Sequence, residues 1–147
     1  MGANVSTYSF LDVVGSISCG LLDDYIFTGE GVGSITISKS QERTAHDISA
    51  DGSVMVSKIA GNNGTVTIEV QQASPLNKWL NQWFQHMWNA KTDKWASTTI
   101  YVRNTALGTS HLCTGVSPAK EPDTPYQQQG GRVTWQFMCA DIVNNPA

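Results

Sequence analysis

The sequence predicts a small, mainly β domain: two packed antiparallel sheets forming a barrel or sandwich, flanked by one α-helix at about residues 75–90. Short segments with period-two alternation recur along the 147 residues, and turn signals separate them. A single segment, Ser74-Pro-Leu-Asn-Lys-Trp-Leu-Asn-Gln-Trp-Phe-Gln-His-Met-Trp88, has helical periodicity instead. Length suits one domain over 1–147, with no linker, internal repeat or low-complexity tract.

Taken in order, Tyr8 to Cys19 reads as a first strand with Phe10, Val14, Ile17 and Cys19 as apolar positions, and Gly15 suggests a bend or bulge. Gly20 to Gly33 reads as a loop. In Val32 to Lys39, Ile35 and Ile37 alternate with Ser34, Thr36 and Ser38, the pattern of a half-buried strand. Arg43 to Ser49 is the expected return strand, and Asp51-Gly52 is a strong turn signal. Val54 to Ile59 is the next strand, with Val54, Val56 and Lys58 opposite Met55, Ser57 and Ile59. Asn63-Gly64 then signals a tight hairpin into Thr65 to Val70, whose Val66, Ile68 and Val70 share one face. Two successive hairpins over about 32–71 follow from this reading.

The helix opens with Ser74 as N-cap, whose hydroxyl can accept from an orphan backbone N–H, and Pro75 at the first helical position. Leu76, Trp79, Leu80, Trp83, Phe84, Met87 and Trp88 fall on one side, and Lys78, Asn81, Gln82 and Gln85 on the other. Such a stripe reads first as core and second as a tryptophan-lined groove. Its width, about half the circumference, exceeds the roughly 100° that one sheet covers, so the excess is a candidate subunit contact. Thr98 to Arg103, Ser110 to Val116 and Arg132 to Ile142 are further strands. Pro118, Pro122, Pro125 and Gly130-Gly131 make Ser117 to Gly131 an extended segment or loop.

Composition narrows the function. Hydrophobic residues make up 40% and charged residues only 14%, against roughly 25% charged in a typical domain. That reads equally as surface buried between subunits and as a neutral surface of Ser, Thr, Asn and Gln. The net charge of -3 gives no basic footprint for wrapping nucleic acid. Acidity concentrates between Asp23 and Glu69, where seven acids face three bases. Cys19, Cys113 and Cys139 lack CxxC spacing, so neither a disulfide framework nor a zinc site is implied. Cys19 and Cys139 read as small buried hydrophobes, and folding in a reducing cytoplasm is expected. The N-terminus has no signal-peptide pattern, and no apolar run approaches the ~20 residues of a membrane span.

His46, His86 and His111 are scattered, and no nucleophile elbow, P-loop or dinucleotide fingerprint appears. His111 and Cys113 alternate on one strand without a third ligand. Asp23-Asp24 reads as a solvated loop pair. No catalytic residue, metal or cofactor is therefore expected. Met1-Gly2 through Ser6 matches a loose myristoylation pattern, and Asn4 and Asn63 head glycosylation sequons that carry no weight without secretion.

Several segments together resemble the phage structural proteins that form the tail tube of contractile-tailed bacteriophages. These are Ser6-Thr-Tyr-Ser-Phe-Leu-Asp-Val13, Ala60-Gly-Asn-Asn-Gly-Thr-Val-Thr-Ile-Glu-Val70, Ala73-Ser-Pro-Leu-Asn77, Gly130-Gly-Arg-Val-Thr-Trp-Gln-Phe137 and Ala140-Asp-Ile142. Their order and spacing cover nearly the whole chain. The resemblance implies a structural, non-enzymatic subunit of the virion tail. Six copies would continue their sheets into a ring, rings would stack into a hollow tube, and long hairpins would line the lumen. It also implies partners: the chain itself, tail sheath subunits, baseplate and tail-terminator proteins, and double-stranded DNA in passage, with no membrane. The helix's aromatic load and the Pro118 to Pro125 segment depart from the family pattern. On this reading Glu42, Asp47, Asp51 and Glu69 are candidates for a negative lumen wall that repels DNA phosphates, and Lys39, Arg43 and Lys58 are candidate partners between subunits. Ordinary solvated hairpin positions are the alternative, because a one-residue register slip exchanges faces. Rival functions are the tube of a tailocin or other contractile injection system, and a carbohydrate-binding β-sandwich using exposed tryptophans.

Overall fold

A computed structural model describes residues 5–20, 24–29 and 31–146. Asn4, Asp23 and Glu30, which figure in the sequence reading, lie outside these residues. Strands β1 (Val13–Ser18), β2 (Tyr25–Phe27), β3 (Val32–Lys39), β4 (Thr44–Ile48), β5 (Val54–Lys58) and β6 (Gly64–Gln71) precede helix α1 (Pro75–Asn89). Strands β7 (Thr98–Asn104), β8 (Ser110–Lys120) and β9 (Arg132–Asn145) follow it. Seven strands form one antiparallel sheet in the order β2-β1-β7-β8-β9-β6-β3, and β4 with β5 forms a second, two-stranded sheet. The large sheet curls into a half-barrel, so the fold is mainly β with one helix, as the alternation predicts.

Alternation decides which side of the curl is core. Val66, Ile68 and Val70 of β6 and Val133, Trp135, Phe137 and Cys139 of β9 are buried on the concave face. Ile17, Cys19, Phe27, Val32, Ile100, Val102, Cys113, Val116 and Ile142 belong to the same core. The helix lies over this face and contributes Leu76, Leu80, Trp83 and Met87, each almost fully buried. Burying such side chains stabilises by roughly 1.5–3 kcal/mol apiece. Ser74 caps the helix as expected, its Oγ accepting from Asn77 N–H at 3.2 Å, with Pro75 at the first position. Trp83 Nε1 donates to Thr98 Oγ1 at 3.0 Å, and Trp135 Nε1 donates to Asn77 Oδ1 at 3.0 Å. These bonds satisfy the polar ends of two large indoles that would otherwise be costly to bury.

Several local expectations change. Residues 10–12 form a 3-10 turn capped by Ser9, and β1 begins only at Val13. Gly15 sits in unbroken register with both neighbours and makes no bulge. Its missing side chain leaves room for the Phe27 ring, which a Cβ would strike. The segment 20–33, expected as a loop, holds β2. Strand β8 runs on through Pro118 to Lys120, so the first part of the segment expected as extended or loop is extended. The missing Pro118 N–H is tolerated because, among the described residues, no strand borders β8 on its other side there.

The largest revision concerns the two hairpins. Strand β3 pairs with β6, from Val32 opposite Val70 to Lys39 opposite Gly64, and β4 pairs with β5. The four strands thus make one long hairpin, broken at 40–43 and 59–63, with its turn at Ser49–Ser53. Across the break Ser40 N–H donates to the Asn63 carbonyl, and Ile59 N–H to the Arg43 carbonyl. Asn63-Gly64 is therefore no turn. Gly64 is required by close approach, since a Cβ there would collide with the Ser38 carbonyl oxygen and Ile142 Cδ1. The Asp51-Gly52 turn forms as expected, with Gly52 at φ +88°.

Candidate assembly surfaces

Four surfaces stand out once the core is assigned: a hairpin arm, an aromatic ladder, and two free strand edges. The arm consists of β4 and β5, and every residue of both strands is exposed. Its register puts Thr44, His46, Ile48, Val54, Val56 and Lys58 on one face, and Ala45, Asp47, Met55 and Ser57 on the other. Ile48, Met55 and Val56 are each more than half exposed, a costly display for an isolated subunit. At the arm's root Arg43 donates to the Gly61 carbonyl at 3.1 Å and to Asn62 Oδ1. Lys39 Nζ donates to the Ile142 carbonyl. At its tip Ser49 Oγ and Ser53 N–H donate to the Asp51 carboxylate. These bonds hold the Asp51 pKa down to about 2 and pin the turn.

The seven charged residues singled out from sequence do not form one surface. Asp47 and Lys58 lie on opposite faces of the arm, and Asp51 is at its tip. Lys39 and Arg43 brace the arm's root, next to which Glu42 is exposed. Glu69 lies on the body, on the outward face of β6, and receives Arg132 Nη1 at 2.9 Å.

The helix stripe divides. Leu76, Leu80, Trp83 and Met87 are core, Trp79 and Phe84 are half-buried against it, and Trp88 is 61% exposed. Phe84 stacks parallel to Trp88 with centroids 6.5 Å apart, and Trp88 meets Trp95 at 5.6 Å. Trp95 is a neighbour that the periodicity of the helix gave no means of finding.

The free edges come from topology. Strand β3 ends the seven-strand sheet, and no strand borders its other side among the described residues. At the other side of the β3-β6-β9-β8 group, β7 pairs with β8 only up to Val116, while β9 pairs with it to Lys120. Residues 117–120 therefore form an overhang that no strand among the described residues borders on the β7 side. Exposed edges of this kind are templates for pairing with another chain.

Among the described residues no group of three or more His, Cys, Asp or Glu side chains is placed to hold a metal ion. The three cysteines are free and buried; the hydrogen bond with Cys139 and burial push the Cys113 thiol well up. No helix among the described residues is long and apolar enough to cross a membrane.

Fold and surfaces together define a class: a β-rich domain whose β3-β6-β9-β8 group has, among the described residues, unpaired strand edge on both flanks. The family model of the bacteriophage PhiTE tail tube protein matches residues 5–145, and the chain belongs to that tail tube family. No curated protein matches the chain. Among solved structures, a chain of the anti-feeding prophage baseplate is similar at a TM-score of 0.62 with 10% identity, covering 99% of this chain and 97% of that one. A chain from the sheath/tube terminator of an extracellular contractile injection system has a TM-score of 0.59 and 12% identity, with 97% and 99% covered. A chain from the sheath-tube complex of such a system has a TM-score of 0.56 and 10% identity, with 96% and 93% covered.

Proposed function

We propose that the protein is the non-enzymatic tube subunit of a contractile phage tail. Six copies form a ring, rings stack into a hollow tube, and the tube conducts double-stranded DNA during ejection. The observation that carries this reading is the pair of free edges flanking the β3-β6-β9-β8 group. Pairing the β3 edge of one copy with the 117–120 overhang of the next leaves a new free pair at the ends. Such a head-to-tail contact closes into a ring when the rotation per copy divides the circle. Closure removes the exposed edges. The arm, with its apolar side chains, reaches beyond the body toward the adjacent ring. The aromatic ladder of Phe84, Trp88 and Trp95 suits a contact with sheath, and baseplate and terminator proteins would meet the tube ends. The particle is the place of function, and the host cytoplasm the place of folding. A tailocin or other injection-system tube would share every one of these surfaces, which the solved neighbours favour over a glycan-binding reading.

Cross-linking tests the edge pairing. The double variant Thr36→Cys/Ala119→Cys, treated with a short bis-maleimide, is expected to give a denaturing-gel ladder that ends at six subunits. Native cysteines are buried and contribute no background. A product no larger than a dimer contradicts the head-to-tail ring.

A further inference from the structure

We propose that the cleft at the end of β6 and β9 farthest from the arm is a binding site for a second copy of this chain. It receives the arm tip of a subunit in the next ring, with Ile48 and Val54 filling it and Asp51 meeting Arg132. The proposal rests on the tube reading above and names the two matching halves on this chain.

Strand pairing fixes where the halves lie. The arm leaves the body at Lys39 and Gly64, which face each other across β3 and β6. Gly64 opens β6, whereas Gln71 closes it and pairs with Arg132, the first residue of β9. At about 3.3 Å per residue the two ends of β6 stand roughly 23 Å apart. Pairing of strand edges around a ring leaves the strand ends to face the rings above and below. Identical rings stacked in one direction bring opposite ends of the subunit together. The arm of one ring therefore meets the Gln71 and Arg132 end of the next.

That end is hollow. Gln71, Gln72 and Ala73 on one side and Gly130, Gly131 and Arg132 on the other line a cleft of about 460 Å³. With a water filling roughly 30 Å³, the space exceeds what one side chain needs. Its walls are tied together: Gln72 N–H donates to the Gly131 carbonyl at 3.0 Å, and the Gln72 side-chain amide donates to the Pro125 carbonyl at 2.7 Å. Gly130 faces open space, since a Cβ there would have nothing within 4 Å. A groove beside Phe10, Ile35, Ile37 and Val102 is of similar size, about 340 Å³, but Ile35 and Ile37 sit at mid-strand on β3 and not at a strand end.

The arm tip matches the cleft in shape and charge. Ile48 and Val54 are the last opposed pair before the turn, 70% and 49% exposed. Opposed residues share a face, so both enter one opening. Beyond them Asp51, fully exposed, keeps its charge down to about pH 2. Arg132 gives Nη1 to Glu69 at 2.9 Å, and its side chain is 55% exposed. A guanidinium carries five N–H donors, so others remain for a second carboxylate.

Cross-linking within tubes tests this. The double variant Val54→Cys/Gly130→Cys is assembled, tubes are verified by electron microscopy, and a short bis-maleimide is added. Val54→Cys/Ala73→Cys carries the test if the first variant disturbs assembly. Each subunit then joins one copy above and one below, so a denaturing-gel ladder running past six subunits is expected. A ladder that ends at six places the contact within a ring and overturns the proposal. No ladder from verified tubes overturns it equally. Gly130→Leu probes the same cleft without a reagent. Its side chain enters open space, so the circular dichroism spectrum is expected to stay unchanged while the concentration needed for tubes rises at least about tenfold. Tubes at the unmodified concentration leave the cleft without an occupant and overturn the proposal. If the unmodified protein forms no tubes, the tube reading itself fails, a result separate from these.

Discussion

Asn77 shows what a single residue does here and why sequence conceals it. On the helical wheel it falls within the apolar stripe, between Phe84 and Trp88, as a polar residue with no partner that periodicity can name. In the fold it is buried, accepts from Trp135 58 positions away, and donates to the Gln72 carbonyl at 2.9 Å. Periodicity locates the indole but says nothing of the partner for its N–H. Asn77→Leu leaves that N–H and a carbonyl unpaired, so denaturant unfolding is expected to show a loss of about 1–3 kcal/mol. Asn81→Ala, on the exposed side, is expected to change stability by no more than about 0.5 kcal/mol. Gly64→Ala is a second test at this scale. Its Cβ meets backbone oxygen, which cannot rotate away, so a loss of about 1–3 kcal/mol or more is expected in the same assay. Asp51 supplies a pH dependence. Its carboxyl titrates near 2 in the fold and at 3.8 as a free side chain, so its contribution to the turn is complete above 3.8 and is lost as pH falls through about 2. The Ser53 amide proton shift, followed by NMR, is expected to titrate with a midpoint near 2.

At the scale of elements, strand faces and the helix were legible because their periods differ and their caps are distinctive. Val66, Ile68 and Val70 fall inward and Thr65, Thr67 and Glu69 outward, as alternation requires. Strand partners were less legible. Asn63-Gly64 has the same signature whether it turns the chain or allows a close approach, and only the Ser38 carbonyl and Ile142 distinguish the two. Pro118 likewise leaves an extended segment and a loop undecided until the strand's open side is known. The candidate charges suffered from the same blindness, because nesting the hairpins moved most of them from the sheet onto the arm and its root. Replacing residues 44–58 with a short turn is expected to leave the unfolding midpoint of the monomer unchanged, since neither strand of the arm buries a residue. Tube formation by the shortened chain is expected to fail under the microscope. Normal tubes would remove the arm from the assembly contacts.

For the whole molecule, low charge, open edges and exposed apolar side chains are liabilities in a monomer and assets in an assembly. The half-barrel buries one side of its sheet and leaves a hydroxyl-rich side bare, with pairing edges on each flank. Membership in the tail tube family agrees with that economy of surface. On the proposed function the isolated chain closes a ring and stacks it unaided. Electron microscopy of the purified protein over a range of concentrations tests it most directly. Six-fold rings with an open centre, stacking into uniform tubes as concentration rises, are expected. A monodisperse monomer at every concentration would contradict it.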